Sequence, residues 1–155
     1  MTDGTPRDRP NVIHWPPILY VMTLLGAFLL QKVLPIVSSV AMPLPGWTLV
    51  CAGVTIGAVA LLGFHRAGTS FDPTAPADAL ATGGIYRFTR NPMYLGAVVA
   101  FVGLGLAIGW IWLIILSVPM ALALVKLAIE REEAYLERRF GQDFLAYKAR
   151  VRRWF

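Results

Sequence analysis

Polar side chains with binding chemistry are concentrated in two short segments of the chain. The first, "GGIYRFTRNPMYLG" at residues 83–96, holds two arginines, two tyrosines and an asparagine immediately before a long apolar run. The second, "EREEAYLERRF" at residues 130–140, holds the adjacent carboxylates Glu132 and Glu133. Tyrosine hydroxyls, guanidinium groups and carboxylates can together bind a small molecule that carries both charges and hydroxyl groups. The two segments therefore predict a shared binding site, provided that the fold brings them together.

The composition indicates a membrane protein. Of the 155 residues, 57% are hydrophobic and only 15% are charged, and the mean hydropathy is +0.62. A soluble domain normally carries about 25% charged residues. The chain is therefore too apolar for an ordinary soluble domain of this size.

Three apolar blocks can be compared with the membrane thickness. A helix needs about 20 residues to cross the roughly 30 Å of hydrocarbon. The first two blocks, residues 18–34 and 46–64, each suit one span. The third block, residues 93–129, is nearly twice the required length and must fold back on itself.

The fold-back is predicted at "GLAIGW", residues 105–110. Gly105 and Gly109 weaken the helix there, and Trp110 suits a membrane interface. The last two spans are then residues 93–108 and 110–129. The sequence thus predicts an all-α integral membrane protein with four transmembrane helices, the last two forming a helical hairpin.

Loop charges predict the orientation. Basic residues precede the first span, occupy the 65–91 loop and follow Glu130, whereas the link between the first two spans carries only Lys32. The positive-inside rule then makes both termini and the 65–91 loop cytoplasmic, and we expect the inner membrane of a bacterium. The net charge of +5 reflects this topology and attraction to anionic lipid, so no nucleic-acid partner is expected.

The segments outside the spans are expected to add no second domain. The proline-containing N-terminal tail is predicted to be flexible or to lie on the interface, and "HRAGTSFDPTAPADALATGG" is predicted to form an irregular loop. A single domain over residues 1–155 results, with a cytosolic loop at 65–91 and a cytosolic tail at 130–155.

The last span is expected to continue as a cytosolic helix until Gly141, after which a short basic amphipathic helix follows. A turn of about 100° per residue puts one group of apolar side chains on a single face. This stripe consists of Ile129, Leu136, Phe140, Phe144 and Tyr147. Glu133 falls inside the stripe and Glu132 on its flank, so both carboxylates face something other than open water.

The hairpin returns its C-terminal end to the cytoplasmic side, which brings residues 83–94 and 130–140 to the same membrane face.

Two plainer interpretations remain open. The charged residues of 130–140 could form a solvated helix face with weak local pairs. Tyr86, Arg87, Arg90 and Tyr94 could be interfacial anchors.

The two segments in this order resemble the isoprenylcysteine carboxyl methyltransferase-like family of integral-membrane methyltransferases, which is related to the phospholipid methyltransferases. The similarity covers residues 79–154, and the first two spans match only in hydropathy. It implies S-adenosylmethionine-dependent methyl transfer to a small lipophilic or lipid-like acceptor that arrives from the bilayer at the cytoplasmic face. No metal site is implied.

The resemblance also implies site residues. The tyrosine of the family's Gly-x-Tyr element corresponds to Tyr86, and its His-Pro-x-Tyr element corresponds to residues 91–94. Cofactor-binding residues are expected to be Leu80, Ala81, Thr82, Tyr86, Asn91, Pro92, Met93, Tyr94, Glu132 and Glu133. Arg90 is expected to pair with a glutamate and fix the loop. Catalytic residues cannot be named, because in-line methyl transfer depends mainly on alignment.

Two departures from the family bear on the methyl acceptor. Asn91 stands where the carboxyl methyltransferases carry histidine, and Ala128 replaces the arginine assigned to the acceptor. A buried carboxylate needs a cationic partner. The acceptor is therefore predicted to present a neutral, thiol or amine nucleophile rather than a prenylcysteine carboxylate.

Two other classes of function remain as alternatives. Membrane reductases that use NADPH on sterol-like or enone double bonds share a similar C-terminal hairpin, although they generally have more spans. A non-catalytic lipid-binding membrane protein would bind neither cofactor. The sequence does not indicate an oligomeric state.

Overall fold

The computed structural model describes residues 15–36, 41–68 and 77–154. The predictions for the N-terminal tail and for the middle of the 65–91 loop fall outside these residues.

All regular secondary structure in the described ranges is helical. In chain order the helices are α1 (Trp15–Val33), α2 (Pro43–Ala67), a short 3₁₀ helix (Gly84–Arg87), α3 (Pro92–Ile108), α4 (Ile111–Leu124), a π-helical turn (Val125–Ile129), α5 (Glu130–Phe140) and α6 (Gln142–Arg150). Three helical stretches are long and apolar enough to cross a membrane, at Pro16–Val33, Pro43–Ala67 and Ile111–Phe140, and Pro92–Ile108 is a shorter apolar helix. The predicted all-α membrane fold is confirmed.

The predicted fold-back lies between α3 and α4. Gly109 ends α3 in the left-handed conformation, with φ of 71°. The N–H of Trp110 donates a 2.8 Å hydrogen bond to the carbonyl of Gly105. A residue with a Cβ is strained in this conformation, so glycine lets the chain reverse within two residues.

The helices pack in the spatial order α2, α3, α4 and α1. Two hydrogen bonds mark one end of this bundle. The N–H of Met42 donates to the carbonyl of Leu106, and the indole Nε1 of Trp112 donates to the carbonyl of Leu34, at 3.0 and 2.8 Å. The end of α1 therefore lies beside the end of α3, and both helices begin at the opposite end of the bundle, called here the site end.

Glycine allows α2 and α3 to pack with their backbones almost touching. A Cβ on Gly53 would lie 2.4 Å from the carbonyl oxygen of Gly96, and a Cβ on Gly46 would lie 2.3 Å from the backbone nitrogen of Ala107. Small residues allow such approach between helices in lipid, where dispersion contacts and not water exclusion drive association. This interface holds the end of α2 beside the start of α3, at the site end.

The chain continues from α4 into α5 without a break. The N–H of Glu130 bonds to the carbonyl of Val125, five residues earlier, which makes residues 125–129 a π-helical turn. Gly141, with φ of 52°, ends α5 and starts α6, as predicted. Helices α5 and α6 fold back so that α6 packs against the loop before α3.

Candidate functional site

A cavity of about 90 Å³ opens at the site end of the bundle. Its walls come from the end of α2, the loop before α3, α5 and α6. The lining residues are Phe64, Ala77, Ala79, Leu80, Ala81, Tyr86, Arg90, Asn91, Glu132, Glu133, Leu136, Phe144 and Tyr147. The two polar segments of the sequence therefore meet in one place.

Tyr86 anchors the loop against α2. Gly84, with φ of 57°, lets the chain turn into the 3₁₀ helix, which carries the Tyr86 ring into the protein. The ring lies 5.1 Å from that of Phe64, and its hydroxyl donates a 3.4 Å bond to the carbonyl of Ala60. A Cβ at Gly63 would lie 2.9 Å from this ring, so glycine makes room for it.

Tyr147 of α6 holds the same loop from the other side. Its hydroxyl donates a 2.7 Å hydrogen bond to the carbonyl of Tyr86. Burial raises the pKa of Tyr147 to about 12, which keeps the hydroxyl protonated as a donor at neutral pH. Phe144 and Val151 complete a buried apolar cluster with these two tyrosines. The cluster is the apolar floor of the cavity.

Glu133 is buried between two arginines. Its carboxylate lies 3.0 Å from Nη2 of Arg90 and 2.7 Å from Nη2 of Arg153. The carboxylate, as hydrogen-bond partner, also raises the pKa of Arg153. Buried carboxylates are stabilised only by such paired and hydrogen-bonded surroundings. The charge of Glu133 is therefore already compensated by the protein.

The two arginines belong to a dense set of bonds that joins the loop to the end of the chain. Arg90 Nη1 donates to the carbonyls of Lys148 and Val151, at 2.8 and 2.9 Å. The carbonyl of Arg153 accepts bonds from the hydroxyl of Thr89 and from Nδ2 of Asn91, at 3.0 and 3.2 Å. We call this set, formed by residues 89–91, Glu133 and residues 148–153, the C-terminal junction.

Glu132 has different surroundings. It lines the cavity, and its carboxylate accepts a hydrogen bond from the Tyr94 hydroxyl. The Tyr94 hydroxyl is neutral, so this bond brings no positive charge to Glu132. Glu132 thus presents its carboxyl group to the cavity with a tyrosine as hydrogen-bond donor.

The predicted cofactor-binding residues divide into two groups. Those that line the cavity are Leu80, Ala81, Tyr86, Asn91, Glu132 and Glu133, together with Arg90. The others do not line it. Thr82 is exposed, Pro92 is buried in the first turn of α3, Met93 packs on the apolar cluster, and Tyr94 reaches the site only through Glu132.

Two residues that fix the site were not predicted. Arg153 pairs with Glu133 from beyond the last helix, where no periodic pattern marks it. The buried hydroxyl of Tyr135 accepts a 2.9 Å bond from the N–H of Ala77 and so anchors the start of the described loop. In the sequence, the position of Tyr135 two residues after Glu133 was the one sign that it could belong to the site.

Ala128 lies in the π-helical turn, four residues before Glu132, and is fully buried. Its small side chain leaves no cation at the position of the arginine that the resembling family assigns to its acceptor.

Comparisons with known proteins give the family. The family model described as phospholipid methyltransferase matches residues 40–143, about two thirds of the chain. A protein of Haemophilus influenzae, described as uncharacterized, is 41% identical over 51 residues, which are 33% of this chain and 75% of that protein. No solved structure matches the chain significantly. Both α1 and the C-terminal part of the junction lie outside the matched residues. With its apolar spanning helices, the chain is an integral membrane protein that belongs to the phospholipid methyltransferase family.

Proposed function

We propose that the protein transfers a methyl group from S-adenosylmethionine to a small lipophilic or lipid-like acceptor at the cytoplasmic face of the membrane. The observation that carries the proposal is a cavity lined both by the loop before α3 and by Glu132, in a member of a methyltransferase family.

Two polar groups of opposite kind line the cavity, and neither is fully paired by the described residues. Nε of Arg90 is a buried donor without a hydrogen-bond partner among the described residues, and Arg90 lines the cavity. In the same set, Glu132 accepts its hydrogen bond from the neutral hydroxyl of Tyr94. Buried polar groups normally have partners. A ligand with a carboxylate and an ammonium group, as in the methionine part of S-adenosylmethionine, supplies both missing partners.

The remaining walls suit the rest of that cofactor. Phe64, Leu136 and Phe144 offer apolar surface for an adenine ring, and the backbone of residues 79–81 offers donors and acceptors. Ligand pockets usually measure about 300–1,000 Å³, so a cavity of about 90 Å³ must widen on binding. A Cβ built on Gly83 or Gly84 would meet nothing within 4 Å, so there is room for the backbone to shift at these two residues.

The protein contributes binding, orientation and exclusion of water. When bound, S-adenosylmethionine supplies an electrophilic methyl group. Transfer of this group to a lone pair of the acceptor would leave the electron pair of the broken carbon–sulfur bond on sulfur, and an amine or thiol acceptor would release its proton to solvent. Alignment of the reactants can account for about 7–11 kcal/mol of the barrier. Glu133 keeps the loop in place through the junction, and Glu132 orients the ligand.

Because position 128 is an alanine and not the family's arginine, we can predict which acceptors react. A radiolabelled-methyl assay should show poor methylation of a prenylcysteine carboxylate and better methylation of an aminolipid or a lipophilic thiol. Efficient esterification of the prenylcysteine with the other two inert would show that Ala128 is unimportant for acceptor choice.

The proposal requires the site end to be cytoplasmic, in the inner membrane of a bacterium, with both termini on the same side. Cysteines introduced as Ile36→Cys and Gly83→Cys into a Cys51→Ala background should react with an impermeant maleimide from opposite sides of the membrane. Labelling of both from one side would overturn the topology.

The test of the function is calorimetry in nanodiscs with S-adenosylmethionine, S-adenosylhomocysteine and NADPH in parallel. We expect both methyl-donor compounds to bind and NADPH not to bind. Glu132→Gln should weaken binding at least tenfold, since a hydrogen bond to a charged group contributes about 1.5–3 kcal/mol. Thr48→Val, at an exposed position near the far end of α2, is the control. Binding of NADPH alone would favour a reductase, and binding of neither would favour a non-catalytic protein.

A further inference from the structure

Residues 77–83, called here the strap, form one wall of the cavity. Residues 77 and 79–81 line the cavity, whereas Asp78 and Thr82 are exposed. The strap is irregular, without helix or strand. It is therefore a single layer of chain between the cavity and the outside of the protein.

The other walls are held by buried bonds. The Tyr86 hydroxyl donates to the carbonyl of Ala60 on α2, and Tyr147 of α6 donates to the carbonyl of Tyr86. Glu133 of α5 pairs with Arg90. Local opening takes place where the local stability is lowest. Since the cavity must widen to hold the methyl donor, we expect the strap to move and these walls to stay in place.

Tyr135 of α5 holds the first residue of the strap. Its hydroxyl accepts a 2.9 Å hydrogen bond from the N–H of Ala77. The Tyr135 side chain is only 4% exposed, so this bond draws Ala77 onto the protein interior. Tyr135 follows Glu132 by three residues, which makes the two side chains neighbours on the surface of α5. The bond that closes the strap thus lies beside the glutamate that lines the cavity.

Two glycines join the other end of the strap to the 3₁₀ helix. Gly84 has φ of 57°, which glycine adopts without strain. A Cβ on Gly83 or Gly84 would meet nothing within 4 Å, so rotation here drives the chain into no described neighbour. Between the two ends, Leu80 and Ala81 pack against the apolar cluster, a contact without directional bonds. The strap therefore has a pivot at one end and a hydrogen bond that can open at the other.

We propose that the strap is the gate of the donor cavity and that Tyr135 is the positioning residue that holds this gate closed. The proposal rests on the proposed function. Breaking the bond between Ala77 and Tyr135 lets residues 77–82 turn outward about the two glycines and admits the methyl donor. Closure forms the bond again and shields the bound donor from water.

The first test measures the exchange of the donor site. Tyr135→Phe keeps the ring and removes the acceptor of the Ala77 N–H. In stopped-flow experiments with S-adenosylhomocysteine, the association and dissociation rate constants should both rise about three- to tenfold, because the lost bond no longer resists opening. Their ratio, the Kd, should change by less than about twofold. A residue that only stabilised the fold or contacted the ligand would weaken affinity without faster association.

The control for the first test is Ser117→Ala. This change also removes a buried hydroxyl, but one that bonds within α4, to the carbonyl of Leu113. Both rate constants should stay as in the unmodified protein.

The second test needs no ligand. Hydrogen exchange followed by mass spectrometry should show that the amides of residues 79–82 exchange about three- to tenfold faster in Tyr135→Phe. The bond to Tyr135 comes from Ala77, so faster exchange at residues 79–82 reports movement of the whole strap. Residues 89–91, which the C-terminal junction fixes, should exchange as before.

The outcomes separate the two proposals. Absence of S-adenosylhomocysteine binding by the unmodified protein would overturn the proposed function and this inference with it. Normal binding, combined with unchanged rate constants in Tyr135→Phe, would overturn the inference alone. Unchanged exchange at residues 79–82, or a Tyr135→Phe protein that loses affinity without faster association, would do the same.

Discussion

Glu132 and Glu133 are neighbours in sequence but belong to different regions of the molecule. Glu133 is buried in the C-terminal junction, where Arg90 and Arg153 both pair with its carboxylate. Glu132 lines the cavity, and its bond to Tyr94 brings no positive charge. Adjacent helical residues point about 100° apart, which is enough to separate the two environments. The protein itself completes the surroundings of one glutamate, and the proposed function assigns the other to the methyl donor.

The same contrast divides the loop before α3. Residues 89–91 make a network of hydrogen bonds with residues 148–153, including the bond from the N–H of Arg90 to the carbonyl of Arg152. Residues 79–81 line the cavity, and Ala77 is held by Tyr135. One end of the loop is therefore fixed by many bonds, whereas the other lines the cavity. The following predictions test this division.

The largest expected effect is the loss of stability in Glu133→Gln. This change leaves Arg90 and Arg153 without their carboxylate, and breaking a buried ion pair typically costs about 3–5 kcal/mol. Unfolding of the purified protein in detergent measures the effect. Glu132→Gln is the matched control and should cost much less, because no ion pair to Glu132 is lost. Equal losses in the two variants would contradict the division.

The next effect concerns ligand affinity in Tyr94→Phe. Without the tyrosine hydroxyl, Glu132 loses its hydrogen-bond donor and its fixed orientation. We expect the binding free energy of S-adenosylhomocysteine to weaken by about 1.5–3 kcal/mol. The free energy of unfolding should change by less. Calorimetry on the variant and the unmodified protein gives the comparison. Unchanged affinity would remove Tyr94 from the site.

Asn91→Ala decides to which region Asn91 belongs. Its side chain lines the cavity, but its Nδ2 donates to the carbonyl of Arg153. Loss of that bond should destabilise the protein by about 1 kcal/mol and change donor affinity less than twofold. On one preparation, unfolding measures the loss of stability and calorimetry measures the donor affinity. A large loss of affinity at unchanged stability would instead assign Asn91 to the ligand, as the family resemblance implies.

The smallest effect is a pH dependence due to Tyr147. Its folded-state pKa of about 12 lies above the ordinary value of 10.0, because burial disfavours the phenolate. The folded protein therefore holds this proton more tightly, and the resulting stability is complete below pH 10 and is lost as the pH rises towards 12. The difference in unfolding free energy between the unmodified protein and Tyr147→Phe should narrow over this range. A constant difference would show that the hydroxyl is not buried.

The sequence predicted the helices and the meeting of the two polar segments, because both depend on patterns along the chain. The hairpin followed from hydropathy and from Gly109, and the buried position of Glu133 followed from the stripe that includes Leu136 and Phe144. The junction could not be predicted in detail. Most of its bonds end on backbone carbonyls near Arg153, which no side-chain pattern reveals. The seven-residue spacing of Gly46 and Gly53 was readable but was not used.

The π-helical turn at residues 125–129 has a consequence for comparing relatives. Such a turn holds one residue more than an α-helical turn. A relative that lacks this residue continues as a regular α-helix, and its later side chains keep the same places. An alignment without a gap at this turn would then pair its residue in the place of Glu133 with Glu132, and its residue in the place of Ala134 with Glu133. Alignments across this turn therefore need its hydrogen-bond pattern, since the order of letters alone can assign the cavity-lining carboxyl group to the wrong glutamate.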